Sequence, residues 1–171
     1  MNQIGGIVLG FFATAVLVII VWRVLFKRSF NVKFDNAIQA INTGGELLLI
    51  GTLADTVKGP RKSFHVNREV AVSISAQGIT IFDGWGGFNQ DGFTNKITLS
   101  EKLIKNIVWD LEEEDKLYIG IQTVKSMPEL NTKDKKNFRL LLSPYNADGD
   151  IDLAINILSS FSNGHVTIAD E

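Results

Sequence analysis

The chain opens on a long apolar run. No charged side chain lies between Ile4 and Trp22, a stretch of nineteen residues. As a helix, this stretch reaches about 28 Å, close to the hydrocarbon thickness of a bilayer. Val24–Phe26 extend the span if the Arg23 side chain reaches back to the headgroups. The pattern predicts a transmembrane anchor over residues 1–28, with Trp22 at the membrane interface.

A cleaved signal peptide is the alternative interpretation of this run. Such a peptide begins with positive charge, has a shorter apolar part and ends in small residues. Here Asn2 and Gln3 precede the run, and Arg23 and Lys27 follow it. We therefore expect an anchor that is not cleaved.

The next segment has the spacing of an amphipathic helix. It runs from Asn31 to Asn42, and Gly44-Gly45 follows it as a stop. Its apolar face consists of Phe34, Ala37, Ile38 and Ile41. Residues 29–45 are thus predicted to form a juxtamembrane helix and linker. The helix either packs on the following domain or lies along the membrane surface, and its mixed charge favours packing.

From residue 46 the hydrophobic period changes from 3.6 to 2, which is typical of β-strands. The predicted strands are Glu46–Thr52, Glu69–Ser75, Ile79–Asp83, Lys96–Leu99, Ile104–Leu111, Lys116–Val124 and Asn137–Ser143. A helical stripe then returns at Ile151, Ala154, Ile155, Leu158 and Phe161. One domain over residues 46–163 is expected, followed by a flexible tail over 164–171.

The order of these elements resembles the pleckstrin-homology (PH) fold, and in particular the bacterial PH-like and GRAM-like domains. The resemblance covers Val70–Phe161 and is carried by VAVSISAQGITIF, ITLSEKLIKNIVW, KLYIGIQT, KNFRLLLS and DIDLAINILSSF. It implies a barrel of two near-orthogonal sheets with the terminal helix closing one corner. The predicted fold is an N-terminal transmembrane helix plus an α+β, mainly β, PH-like barrel of about seven antiparallel strands closed by a C-terminal helix. A different small barrel is the alternative.

Charge restricts the partners. Removing the three cations of the anchor from the net charge of −2 leaves the remainder at −5, which argues against binding nucleic acid. The absence of cysteine excludes disulfides and thiolate metal sites.

One side of the predicted span is crowded with cations, namely Arg23, Lys27, Arg28 and Lys33. The positive-inside rule then predicts a single-pass protein of the cell membrane, with its N-terminus outside and its C-terminal domain in the cytoplasm.

Three small residues at intervals of four are the first candidate site. Gly6, Gly10 and Thr14 have the spacing that lets two membrane helices approach closely. This predicts association with other membrane proteins or with a second copy. The alternative is that glycine is simply common in membrane helices.

A second candidate is the loop after the first strand, which contains Lys58, Arg61 and Lys62. In lipid-binding PH domains, basic residues of this loop meet phosphorylated headgroups. The resemblance implies the same position for these three residues. Anionic lipid is therefore a candidate partner. Three charges in a loop are equally explained as ordinary solvated turn residues.

The third candidate is the glycine-rich insertion from Asp83 to Phe93. Trp85, Phe88 and Phe93 either anchor a partner, dip into the membrane interface or fold back over the core.

No pattern indicates catalysis. The two histidines, His65 and His165, lie near no suggestive carboxylate pair, and no nucleotide, nucleophile or metal fingerprint is present. The acidic residues before Asp152 are better explained as a helix cap than as a calcium loop. The sequence predicts no enzyme, no cofactor and no metal.

The predicted function is a membrane-tethered PH-like interaction module that scaffolds or regulates a membrane protein complex from the cytoplasmic face. One alternative is a sensor of lipid headgroups or of a small ligand at the membrane surface. A third hypothesis, with the topology reversed, is a small barrel that binds a ligand outside the cell.

Overall fold

The computed structural model describes residues 3–42, 48–55, 68–89, 92–113, 116–130, 132, 134–145 and 151–161. The first element is α1, a single helix over Gln3–Asn42. It runs through residues 28 and 29 without a break, so the amphipathic segment predicted at 31–42 is the second half of a longer helix. A helix with no internal proline has no reason to break there.

The predicted transmembrane helix is wrong. In the described part of the chain, neither helix combines the length and the apolar character that crossing a membrane requires. The prediction had extended the apolar run past Trp22, but α1 carries Arg23, Lys27 and Arg28 in the next two turns.

Seven strands and a second helix follow. They are β1 Leu48–Asp55, β2 Arg68–Ser75, β3 Gly78–Asn89, β4 Gly92–Ser100, β5 Ile104–Glu113, β6 Lys116–Thr123, β7 Asn137–Pro144 and α2 Ile151–Ser159. Two short 3-10 helices lie at Glu101–Leu103 and Pro128–Leu130. The mainly β character predicted from alternation is confirmed.

The strands form one antiparallel sheet in the order β4-β3-β2-β1-β7-β6-β5. The edge strands β4 and β5 are joined by only three residues, Glu101–Leu103, so the sheet curves enough to bring Ser100 and Ile104 close together. No ladder pairs β4 with β5 among the described residues. The sheet is therefore open, and the prediction of a closed barrel is wrong. The physical reason is that the chain turns through a 3-10 helix at this corner and makes no hairpin there.

The two faces of the sheet are buried in two separate cores. The larger core lies under α2 and takes Leu49, Val70, Val72 and neighbouring residues of the other strands. Ile151, Ala154, Leu158 and Phe161 complete it from the C-terminal end. The smaller core lies under the second half of α1 and takes Leu48, Ala71 and Phe82. Because both faces are covered, β2 is buried over Val70–Ile74 without interruption.

Gly51 fixes how closely β1 and β7 approach. A Cβ at this position would lie 1.8 Å from the Leu141 carbonyl oxygen, which is far inside van der Waals contact. The obstacle is backbone, so it has no rotamer by which to move away. Only glycine is compatible with this pairing.

Candidate functional site

The helix α1 has two parts with opposite environments. Over Phe12–Phe26, which we name the exposed apolar section, eleven large hydrophobic side chains are 47–71% exposed. They include the consecutive residues Val16–Trp22, so they cover every side of the helix. A helix that is apolar all round normally lies in lipid or inside a protein.

The second part, Phe30–Ile41, packs on the sheet. Phe34, Ala37 and Ile38 are buried there, while Phe30 and Ile41 are partly buried. From Phe34 onward these residues follow the i, i+3, i+4, i+7 spacing, and Phe30 lies four residues before Phe34, so all of them share one helical face. The amphipathic face predicted from the sequence is thus used for packing on the domain.

Aromatic rings make up most of this contact, which we name the aromatic cluster. Phe34 lies 5.3 Å from Phe93 and 6.4 Å from Phe88 between ring centroids, both edge-to-face. Phe30 lies 5.4 Å from Phe88, and Phe82 lies 5.8 Å from Phe93. Each such pair contributes about 0.5–1.5 kcal/mol beyond the area it buries.

At Gly84 the helix α1 approaches β3 closely. A Cβ there would lie 3.1 Å from Phe30 Cζ, 3.2 Å from Phe34 Cδ2 and 3.3 Å from the Glu69 carbonyl oxygen. All three distances are tighter than usual, and one of the obstacles is backbone. The missing side chain therefore makes room for the two rings of α1.

A cleft of about 640 Å³ opens where the two parts of α1 meet, between the helix and the ends of β2 and β3. We name it the basic cleft. Its charged lining residues are Arg23, Lys27, Lys33 and Glu69, and its aromatic lining residues are Phe26, Phe30 and Phe88. Ser29, Asn31, Gly84 and Gly87 complete the wall.

Helical spacing explains which cations line the cleft. Arg23, Lys27 and Phe30 lie at i, i+4 and i+7, so they share one face of α1. One turn further along the helix, the same face packs on the sheet. Arg28 carries the same charge but lies on another face, and it is exposed and does not line the cleft. Three cations face one carboxylate, so the lining is net positive.

The chemistry of this cleft is that of binding. Cations attract an anion, and the rings beside them accept an apolar group. Within the described residues, no group of three or more histidine, cysteine or acidic side chains could hold a metal ion.

The structure separates the predicted site residues. Gly6 and Gly10 lie in the first turns of α1, outside the residues whose side chains are described, and Thr14 is exposed on the same helix. Lys58, Arg61 and Lys62 lie outside the described residues, as do His65 and His165.

The described residues of the glycine-rich insertion lie in strands. Its first half belongs to β3 and its last residues belong to β4, with Phe88 paired to Phe93 and a register shift after Asp83. Phe88 and Phe93 are half-buried against α1, and Trp85 lies in β3 with its side chain outside the described set. Glycine is normally disfavoured within strands, which is why the pattern indicated a loop.

Sequence reasoning missed a buried ion pair. Arg68 Nη1 donates to Asp83 Oδ2 at 2.6 Å, and the Asp83 side chain is only 1% exposed. Arg68 also donates to the Leu130 carbonyl oxygen, which ties β2 to the Pro128–Leu130 helix. Arg68 and Asp83 each occupy a core-facing position in the alternation of their strand. Two opposite charges at such positions were the signal in the sequence that could have predicted the ion pair.

Comparison with known proteins adds no family to this description. No protein-family model matches the chain, and no curated protein matches its sequence.

Proposed function

We propose that this protein is an interaction module attached to a membrane through the exposed apolar section of α1, where it scaffolds or regulates a protein complex. The observation that carries the proposal is the contrast within one helix. The large hydrophobic side chains of residues 12–26 lie on all sides of the helix and are exposed, whereas the apolar residues from Phe30 onward are packed on the sheet. Burying one Leu, Ile or Phe side chain is worth about 1.5–3 kcal/mol, so the exposed section has a strong drive towards an apolar environment.

Charge favours lipid over another protein as that environment. Arg23, Lys27 and Lys33 follow the apolar residues within about three turns of helix. Cations in this position are attracted to anionic headgroups, and the cytoplasmic leaflet carries the negative surface potential. We therefore place the protein at the cytoplasmic surface of the membrane.

The part of the module that meets protein partners is the open sheet. Edge strands present unpaired backbone groups to which another chain can add a strand. Of the two edges, β5 carries the exposed Leu111 and the half-buried Trp109, whose buried Nε1 has no acceptor among the described residues. This edge is our candidate for the partner surface.

Kinship with the bacterial PH-like and GRAM-like domains is retained as a proposal about the order of elements. Strands β1–β4 and β5–β7 each form a meander of antiparallel neighbours, and α2 follows β7. That order supports the resemblance, whereas a closed barrel does not form part of it.

Flotation of the purified full chain with neutral phosphatidylcholine vesicles tests the membrane attachment. The variant Leu17→Asp with Ile20→Asp places two charges in the exposed apolar section. We expect it to bind vesicles at least about 100-fold more weakly, because two apolar burials are lost. Val32→Asp, at a residue that is 53% exposed on the same helix, is the matched control and should float as the natural chain does.

Equal flotation of all three proteins would refute the attachment. The scaffold role is tested separately by mild extraction of the tagged protein and measurement of the mass of the particle. Companions present in fixed ratio support it, and a particle that contains this chain alone opposes it.

A second candidate function is recognition of a lipid headgroup or a small ligand at the membrane surface. It is favoured by the basic cleft, in which three cations line a space next to aromatic rings.

A further inference from the structure

We propose that the basic cleft binds the phosphate-bearing headgroup of an anionic phospholipid, whose acyl chains lie along the exposed apolar section of α1. This inference rests on the proposed attachment to a membrane and names the lipid class that the attached protein selects. It uses residues of α1 and of the sheet, and none of the loop residues Lys58, Arg61 and Lys62.

The charge of the basic cleft suits an anionic group. Arg23, Lys27 and Lys33 line the cleft, and Glu69 is the one carboxylate among its lining residues in the described part of the chain. No ion pair joins Arg23, Lys27 or Lys33 to another residue in the described part of the chain, so none of the three cations is neutralised by a described partner. A phosphate group, with its several acceptor oxygens, matches two or three neighbouring cations.

The position of the basic cleft, next to the exposed apolar section, suits a lipid. Arg23 and Phe26 belong both to the exposed apolar section and to the wall of the cleft. A ligand in the cleft therefore meets charge and apolar surface at the same level along the helix. A lipid at a membrane surface has this arrangement, with its headgroup beside its first methylene groups, whereas a free phosphate uses only the charged part.

The volume of the basic cleft suits a headgroup. A volume of about 640 Å³ lies within the range of small-molecule sites, roughly 300–1,000 Å³. Gly84 and Gly87 form part of the wall on the sheet side and leave it without side chains there. Phe88 is held by its ring contact with Phe30, so this side of the cleft is formed before a ligand arrives.

Native mass spectrometry of the full chain tests the proposal. The protein is released from detergent micelles doped with either phosphatidylserine or phosphatidylcholine, and the fraction that retains one lipid is measured. The variant Arg23→Gln with Lys27→Gln removes two cleft cations. Arg28→Gln removes the same kind of charge one residue away and is the matched control.

We expect the natural chain and Arg28→Gln to retain phosphatidylserine in preference to phosphatidylcholine. The double variant should lose this preference by about 30-fold, the effect of two cations next to an anionic surface. Equal retention by all three proteins would overturn the proposal. Displacement of phosphatidylserine by millimolar inorganic phosphate would also overturn it, since the site would then take a free anion.

The failure of this inference is distinguishable from the failure of the proposed attachment. Flotation with neutral phosphatidylcholine vesicles depends on the exposed apolar section, so the double variant should still float. If the natural chain floats but shows no preference for phosphatidylserine, then only the headgroup site is wrong. If the natural chain itself does not float, then the attachment is wrong.

Discussion

Truncation of Phe34 to alanine is the perturbation that best isolates the docking of α1 on the sheet. Phe34 is 7% exposed, and its ring is within 6.4 Å, between centroids, of the rings of Phe30, Phe88 and Phe93. Removing a buried phenyl ring costs about 3–5 kcal/mol. We take about 3 kcal/mol, because the neighbouring rings are half-buried and can partly close the gap. That cost corresponds to roughly a 100-fold rise in the undocked fraction.

The chain contains no cysteine, so one introduced thiol reports on this opening without background. Ala37→Cys places the thiol at a residue of α1 that is only 4% exposed while the helix is docked. When reclosing is faster than labelling, the labelling rate is proportional to the open fraction. In the Ala37→Cys background, Phe34→Ala should therefore be labelled about 100-fold faster than the protein with Phe34 intact.

Phe26→Ala in the same background is the control, since Phe26 lies on the same helix and is 61% exposed. It should change the labelling rate by less than about 3-fold, as expected of an exposed residue. If Phe34→Ala labels no faster than Phe26→Ala, then the aromatic cluster does not hold the helix on the sheet.

Three further changes test the rest of the fold by denaturant unfolding of the purified chain. Gly51→Ala should be strongly destabilising, because its Cβ would meet a backbone carbonyl, whereas Gly120→Ala has its nearest atoms at 3.8 Å and should be tolerated; equal midpoints would contradict this. Asp83→Ala should cost about 3–5 kcal/mol by leaving the Arg68 charge buried, and a second change, Arg68→Met, should recover part of that loss. Thr123→Val should cost about 1–2 kcal/mol, since the buried hydroxyl donates to two backbone carbonyls; an unchanged midpoint would show that these bonds contribute nothing.

Local patterns were sufficient for the elements themselves. The alternation of Val70, Val72 and Ile74 with smaller residues reports a strand, because the period of 2 depends only on the geometry of one extended segment. The predicted strands lie within the observed ones or overlap them, and the C-terminal stripe from Ile151 lies on α2.

Local patterns failed where a segment depends on a distant one. Gly84 and its neighbours indicated a loop, since glycine is a poor strand residue, yet they continue β3 through a register shift between Asp83 and Phe88, and the rings of α1 lie over Gly84. Ala71 alternates along β2 with the core-facing residues Val70 and Val72. It is fully buried there, because α1 covers that face.

The sequence by itself determined which segments are apolar, which alternate and which carry charge, and hence the long N-terminal helix, the mainly β domain and the apolar face from Phe34 to Ile41. These properties belong to short stretches of chain. Only the tertiary structure decided that the sheet stays open, that α1 docks on the second face, and that Arg23 and Lys27 meet Gly84 and Phe88 across a cleft. Those outcomes depend on contacts between residues that are tens of positions apart, and no local period contains them.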